Sequence, residues 1–151
     1  MHDSRTAEQQ RSDLNAATDA LIGTYEVVDG RRNDHHFTSV IVRRKSAEVS
    51  GPDVTMTGAT SGSTVLRGNK KCRGYFVKNG KYASVMCDAP AYGINFYNLG
   101  SVTDLDRTVK DGGVIKGFPD MQVPVGDFLL EYTEDTNGRT HYLVLAKKTA
   151  P

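Results

Sequence analysis

The chain contains no tryptophan, only two cysteines and no run of eighteen apolar residues. Without such a run, no helix that spans a membrane is predicted. The charge is also balanced, because 19 lysines and arginines face 18 aspartates and glutamates and leave a net charge of +1. Dedicated nucleic-acid-binding domains usually carry a clear excess of positive charge. The composition therefore predicts neither a membrane span nor a nucleic-acid partner.

The beginning of the chain is polar and lacks the apolar stretch of a secretory signal peptide. Two interpretations follow, a cytosolic protein or a chain whose signal segment has been removed. The 151 residues suffice for one domain. Residues 1–11 are predicted to form a flexible tail, and residues 12–148 a single β-barrel domain.

Valine and threonine are abundant and leucine is comparatively scarce, which favours strands over helices. A short helix is predicted from Ser12, because Leu14, Ala17 and Leu21 recur at helical spacing. Short strands then follow at near-regular spacing, and tight turns join several of them. The sequence thus predicts an all-β fold, an antiparallel up-and-down barrel of about eight to ten strands with a short N-terminal helix.

A hairpin is predicted around Asn79-Gly80, which is the strongest short-range signal for a two-residue turn. Such a turn places Cys72 opposite Cys87, within reach of a disulfide if the register holds. A three-residue loop would shift the register, and two buried thiols are then the alternative. A bonded pair predicts an extracytoplasmic protein, periplasmic or secreted, whereas free thiols predict a cytoplasmic one.

A second hairpin is predicted around Asn137-Gly138. A two-residue turn there places Leu130 opposite Leu145 and Glu134 opposite His141. Leu130 then shares an apolar face with its neighbours on both strands, as a half-buried hairpin requires.

The segment Leu21-Ile22-Gly23-Thr24-Tyr25-Glu26-Val27, after a short helix, resembles the opening strand of lipocalin-like and avidin-like barrels. Those families usually carry G-x-W, and Tyr25 stands where their tryptophan is expected. Ser101-Val102-Thr103-Asp104-Leu105 is similar to the T-D-Y signature of lipocalins, without its aromatic residue. The resemblance implies a calycin-type small barrel, with Tyr25 near its floor, where simple core packing is the alternative role.

The segment Asp34-His35-His36, together with His141, contains the residue types that bind zinc or copper. Adjacent side chains on a strand point to opposite faces, however, so a solvated loop is the simpler interpretation. Residues 58–64 have the glycines of a phosphate-binding loop but no lysine before the Ser/Thr position. No strong catalytic motif is present, so we predict no enzyme, no catalytic residue, no cofactor and no metal site.

The predicted binding residues fall in two segments. One is the face of the first hairpin opposite its cysteines, and the other is a proline-bounded loop near residue 120. The leading hypothesis is a non-enzymatic β-barrel binding module of the protein-binding or hydrolase-inhibitor type. The alternatives are a carrier of a small apolar ligand and a structural subunit of a homo-oligomer. The predicted binding residues are Tyr75, Val77, Tyr82, Met86, Phe118 and Met121.

Overall fold

The computed structural model describes residues 3–31, 33–60, 62–77, 82–102, 107–109, 121–124, 126–135 and 138–148. This part of the chain contains one helix and eleven strands. The elements are α1 (Ala7–Leu21), β1 (Gly23–Arg31), β2 (Phe37–Arg43), β3 (Asp53–Gly58), β4 (Gly62–Leu66), β5 (Arg73–Val77), β6 (Tyr82–Ala91), β7 (Ile94–Ser101), β8 (Arg107–Val109), β9 (Met121–Val123), β10 (Phe128–Glu134) and β11 (Thr140–Lys147).

Nine of the strands form one antiparallel sheet that curls into a half-barrel, so the predicted all-β class is confirmed. The strand order is β4-β3-β2-β1-β11-β10-β7-β6-β5. Consecutive strands are neighbours except at the β8–β9 excursion and between β4 and β5, which lie at opposite edges, and the first strand β1 pairs with the last strand β11. An odd number of alternating strands leaves both edge strands running in the same direction. The edges β4 and β5 therefore cannot close the barrel as one more antiparallel pair, because parallel and antiparallel ladders differ in their hydrogen-bond pattern.

Helix α1 begins at Ala7 rather than at the predicted Ser12, so residues 7–11 of the predicted tail are helical. The reason is a capping box, in which the Thr6 side chain accepts from the Gln9 amide while the Gln9 side chain accepts from the Thr6 amide. The helix packs on β5, and a Cβ on Gly74 would lie 2.5 Å from the Leu14 Cα. This close approach fills the concave side of the half-barrel with the apolar face of α1.

The core occupies the concave face of the sheet. Tyr97 pairs with Cys87 on one side and with Tyr132 on the other, and Tyr132 pairs in turn with His141. These four side chains form a continuous buried row across β6, β7, β10 and β11. Tyr25 is also fully buried, and its hydroxyl donates to the Leu21 carbonyl at 2.6 Å. The core is thus packed with large side chains rather than hollow.

A smaller sheet covers part of the opposite face. It consists of β8 and β9, and Val123 of β9 is buried against Val102, Leu129 and Val144. The end of the predicted proline-bounded loop near residue 120 is therefore a strand, β9. Burial of Val123 against the main sheet explains why the segment adopts extended structure.

The second hairpin has a different register from the predicted one. Leu130 pairs with Leu143, and Tyr132 pairs with His141. The cause is the loop, because the Glu134 amide donates to the Arg139 carbonyl and the Gly138 amide donates to the Glu134 carbonyl, both at 3.0 Å. The connection is therefore longer than a two-residue turn. The slip is an even number of residues, so every side chain keeps its predicted face.

The first hairpin has the predicted register, with Gly74 opposite Val85 and Phe76 opposite Ala83. Its turn, residues 78–81, lies outside the described residues. The chain is not broken at Pro90, because β6 continues to Ala91 through a register shift in which Ala89 has a φ of 46°. A bulge of this kind accommodates the proline within the strand.

Cys72 and Cys87 form a disulfide with a Cα–Cα distance of 4.4 Å, which confirms the predicted pairing. A short segment, Ser50–Pro52, passes over it, and we call this segment the strap. A Cβ on Gly51 would lie 2.7 Å from the Cys87 Sγ and closer still to the Cys72 Sγ. The strap also accepts hydrogen bonds from Thr18 Oγ1 at 3.2 Å and from the Tyr97 hydroxyl at 2.8 Å. Disulfide, helix and sheet are therefore joined through one piece of backbone.

Candidate functional site

Four connections leave the main sheet at the same end because neighbouring strands alternate in direction. They are β1–β2, β3–β4, β6–β7 and β10–β11. We call this end the mouth. Loops at one end of a barrel frequently form a binding site above a rigid core.

A pocket of about 290 Å³ opens at the mouth, and we call it the mouth pocket. Its walls combine buried side chains of the sheet with exposed residues of the connections. Phe37 is 3 % exposed, whereas Tyr92 is fully exposed on the β6–β7 turn. Ligand sites in proteins are typically apolar concavities that carry a few polar groups. The lining residues are His35, Phe37, Met56, Thr64, Tyr92, Gly93, Ile94, Tyr132 and Glu134.

The β1–β2 connection is held by Asn33. Its side-chain amide donates to the Phe37 carbonyl, and its side-chain oxygen accepts from the Phe37 amide, both at 2.9 Å. The His36 amide donates to the Asn33 carbonyl, and His36 has a φ of 52°. This bracket fixes His35 beside the Phe37 ring, with 5.5 Å between the ring centroids. A bracket of side-chain and backbone hydrogen bonds is how asparagine commonly stabilises a tight turn.

Glu134 joins two histidines at the pocket wall. Its Oε1 lies 2.8 Å from Nε2 of the buried His141 and 3.9 Å from Nε2 of the half-exposed His35. The His141 ring stacks on the Tyr132 ring with centroids 4.7 Å apart. A carboxylate beside an imidazole helps to orient the ring. The wall of the mouth pocket therefore contains the Glu134 carboxylate, which lies next to two imidazole rings.

The Tyr132 hydroxyl is buried and makes no hydrogen bond with any residue that the structure describes. Burial raises the pKa of Tyr132, and the charges of Glu134 and Asp34 raise it further. A buried hydroxyl without a partner costs free energy, commonly about 1–3 kcal/mol in mutational data. The neighbouring Tyr97, equally buried, donates to the Pro52 carbonyl. Among the described residues the Ser50 hydroxyl of the strap is also buried without a partner, and the Tyr132 hydroxyl differs in that its side chain lines an open pocket.

The predicted binding residues of the first hairpin do share one face, although they are not equally exposed. Val77 is 54 % exposed, whereas Tyr75, Tyr82 and Met86 are half-buried. Tyr75 is covered by the Arg5 guanidinium, which lies 4.3 Å from the ring centroid. Two further predicted residues lie on the loop near residue 120. Met121 begins β9, and Phe118 lies outside the described residues.

Sequence reasoning did not unite the mouth residues. Asp34-His35-His36 was predicted to be a solvated loop before a strand, and Glu134 and His141 were predicted only as a cross-strand pair. The structure brings His35 and His141 to the same carboxylate oxygen. The sequence contains the two-His segment and, far along the chain, a hairpin that carries Glu134 and His141. The spacing along the chain does not show that these residues lie close together in the fold.

Within the ranges described above, no group of three or more His, Cys, Asp or Glu side chains is arranged to hold a metal ion. No helix in the same ranges is long and apolar enough to cross a membrane. Comparison of the chain with protein-family models, with curated proteins and with solved structures gives no match. The resemblance to lipocalins and avidins consequently stays a prediction.

Proposed function

We propose that the protein is a non-enzymatic binding module that takes a small ligand in the mouth pocket. The observation that carries this proposal is a concave site whose wall contains a buried tyrosine hydroxyl without a hydrogen-bond partner among the described residues. A polar atom of a bound ligand would supply the missing partner. The cost of the unpartnered hydroxyl is then offset when the site is filled.

The packing supports a site at the mouth rather than inside the barrel. Helix α1 and the large buried tyrosines occupy the concave face, whereas the mouth pocket lies at the end of the half-barrel. A pocket of about 290 Å³ lies at the small end of the range for ligand sites, roughly 300–1,000 Å³. We therefore expect a compact ligand of roughly ten non-hydrogen atoms rather than a long lipid.

The proposal is tested by blocking the pocket. Thr64 lines the pocket, whereas its neighbour Ser63 is exposed on β4 and is not among the lining residues. Small aromatic fragments are titrated into the ¹⁵N-labelled protein, and amide shifts are followed by NMR. We expect shifts around the mouth in the wild type and in Ser63→Trp, and their loss in Thr64→Trp. Equal binding by both variants, or no binding by the wild type, would overturn the proposal.

Protein binding is the second candidate, and the exposed Val77 at the end of β5 favours it. Tyr75, Tyr82 and Met86 extend that surface along the first hairpin. A hydrolase-inhibitor role and a homo-oligomeric subunit are narrower forms of this candidate. A partner captured by the wild type and lost in Val77→Asp would support it, and a partner retained by that variant would contradict it.

We also propose an extracytoplasmic location. The support is the Cys72–Cys87 disulfide, since structural disulfides persist mainly in oxidising compartments. Intact-mass measurement of the natively produced protein, alkylated without reductant, tests this. A chain with no alkylated cysteine is expected, and two alkylated cysteines would contradict it.

A further inference from the structure

The proposed function leaves the chemical class of the ligand open, and the side chains at the mouth pocket narrow it. Of the nine described lining residues, none is lysine or arginine, and Glu134 is the one carboxylate. The remaining polar groups are the imidazole of His35, the hydroxyls of two tyrosines and the hydroxyl of Thr64. The polar groups of the described lining can therefore all accept hydrogen bonds, and none of them belongs to a lysine or an arginine.

Three aromatic rings accompany that carboxylate. Phe37 and Tyr132 are buried, and Tyr92 stands fully exposed on the β6–β7 turn. Aromatic faces attract cations through their quadrupole, with about 0.5–2 kcal/mol per contact depending on desolvation. A carboxylate among aromatic rings is the set of groups that recognises an organic ammonium ion. A carboxylate or phosphate ligand would instead place a second negative charge beside Glu134.

The unpartnered Tyr132 hydroxyl can also contact an ammonium group. Its oxygen accepts a hydrogen bond from an ammonium N–H without giving up its own proton. The Glu134 Oε1 atom lies 2.8 Å from His141 Nε2, so the carboxylate already has a close neighbour before a ligand arrives. A carboxylate has several lone-pair positions and accepts an ammonium N–H while the imidazole remains beside it. Pre-organisation of this kind lowers the ordering cost of binding.

We propose that the mouth pocket binds a compact organic ammonium ion with an aromatic or apolar body, whose ammonium group contacts Glu134 and the Tyr132 hydroxyl. This inference rests on the proposed function. The Tyr92 ring closes over the apolar body of the ligand or over its ammonium group. Because fragments of this size reach only modest affinity, we expect a dissociation constant on the order of 1 mM.

The test compares three probes of nearly equal size: 2-phenylethylamine, 2-phenylethanol and 3-phenylpropanoate. Each is titrated at pH 7.5 into the ¹⁵N-labelled full chain, and the affinity is read from amide shifts around the mouth. We expect the amine to bind about tenfold more tightly than the alcohol, a difference of about 1.4 kcal/mol. The carboxylate probe is expected to bind most weakly of the three.

Two variants locate the charge and the ring. Glu134→Gln keeps the shape of the side chain and is expected to bring the affinity for the amine down to that for the alcohol. Tyr92→Ala removes an exposed ring that has no role in the core, and it is expected to weaken amine binding about threefold, consistent with the loss of one cation–π contact. Val28→Ala, an exposed residue of β1 that is not among the lining residues, is the control and is expected to leave amine binding unchanged.

The outcomes separate the two proposals. Amine and alcohol of equal affinity at the mouth overturn the ammonium inference and leave the mouth as a binding site. Tighter binding of the carboxylate also overturns the ammonium inference. Shifts confined to residues away from the mouth, or no shift with any probe, overturn the proposed function together with this inference. If Glu134→Gln fails to fold, the Tyr92→Ala result decides, and unchanged amine affinity in that variant overturns the inference.

Discussion

Two buried tyrosines, Tyr97 and Tyr132, pair across neighbouring strands but differ in the hydrogen bonding of their hydroxyl groups. The Tyr97 hydroxyl donates to the Pro52 carbonyl of the strap, whereas the Tyr132 hydroxyl finds no partner among the described residues. The two positions share a sheet, a face and nearly complete burial. The difference lies in what stands above them, a strap of backbone in one case and an open pocket in the other.

The regions around the two tyrosines differ as well. At the strap, Gly51 lies against the disulfide with no room for a Cβ. At the mouth, Gly93 has open space around it, and the neighbouring Tyr92 ring is exposed. The strap region is packed as a structural core is, and the mouth has the features of a surface arranged for a ligand. Substitutions should therefore affect stability at the strap and ligand affinity at the mouth.

The largest effect is expected from removal of the disulfide. Its two cysteines are 15 residues apart, and closure of a loop of that length stabilises a fold by about 3 kcal/mol. The double variant Cys72→Ala/Cys87→Ala should lose that amount in the free energy of unfolding, measured with urea. Binding of 2-phenylethylamine at the mouth should remain. A variant of wild-type stability, or one that loses mouth binding while it stays folded, would remove the distinction between the two regions.

A smaller loss is expected from Gly51→Ala, because its Cβ would meet both sulfur atoms of the disulfide. Overpacking of this kind costs about 2 kcal/mol. Gly93→Ala at the mouth serves as the matched control. Its φ of 79° is unfavourable for alanine, but nothing lies within 4 Å, so about 1 kcal/mol is expected.

The same Gly51 substitution should cost less in the variant that lacks both cysteines, because the sulfur atoms that meet the new Cβ are then absent. A double-mutant cycle measures that coupling directly. An unchanged cost in the two backgrounds would show that the strap does not depend on the disulfide for its packing.

The smallest effect is expected at the N-terminal end of α1. Arg5 donates to the Gly74 carbonyl at 2.7 Å and to Asp3, and its hydrogen bonds lower the pKa of Asp3 to about 2. Because the native pKa is lowered, the stabilising contribution is present above the ordinary value of 3.8 and is lost as the pH falls towards 2. Arg5→Ala should return the NMR titration midpoint of Asp3 to near 3.8, whereas Arg11→Ala should leave it near 2.

Local signals in the sequence account for much of the sheet. The β5–β6 register and the disulfide follow from one Asn-Gly pair, because a two-residue turn fixes every cross-strand partner. The predicted register of β10–β11 was wrong, because Gly138 belongs to a loop longer than the predicted two-residue turn. Turn length is set by the loop's own hydrogen bonds, and these are not visible in a dipeptide.

The mouth pocket was beyond sequence reasoning for a different reason. His35, Glu134 and Tyr132 come from two distant parts of the chain, and the pairing of β1 with β11 and of β11 with β10 brings them together. The strap was missed likewise, because contact between Gly51 and Cys87 depends on tertiary packing. Periodicity predicts which face a side chain occupies, but it does not predict which buried hydroxyl lacks a partner.

The most direct test of this account compares the free energies of unfolding of Tyr97→Phe and Tyr132→Phe under identical conditions. Loss of the Tyr97 hydroxyl leaves the Pro52 carbonyl without its donor, so Tyr97→Phe should be about 1–2 kcal/mol less stable than the wild type. Tyr132→Phe removes an unpartnered hydroxyl and should be as stable as the wild type or more stable by about 1 kcal/mol. Equal destabilisation by both substitutions would contradict the claim that the mouth trades stability for binding.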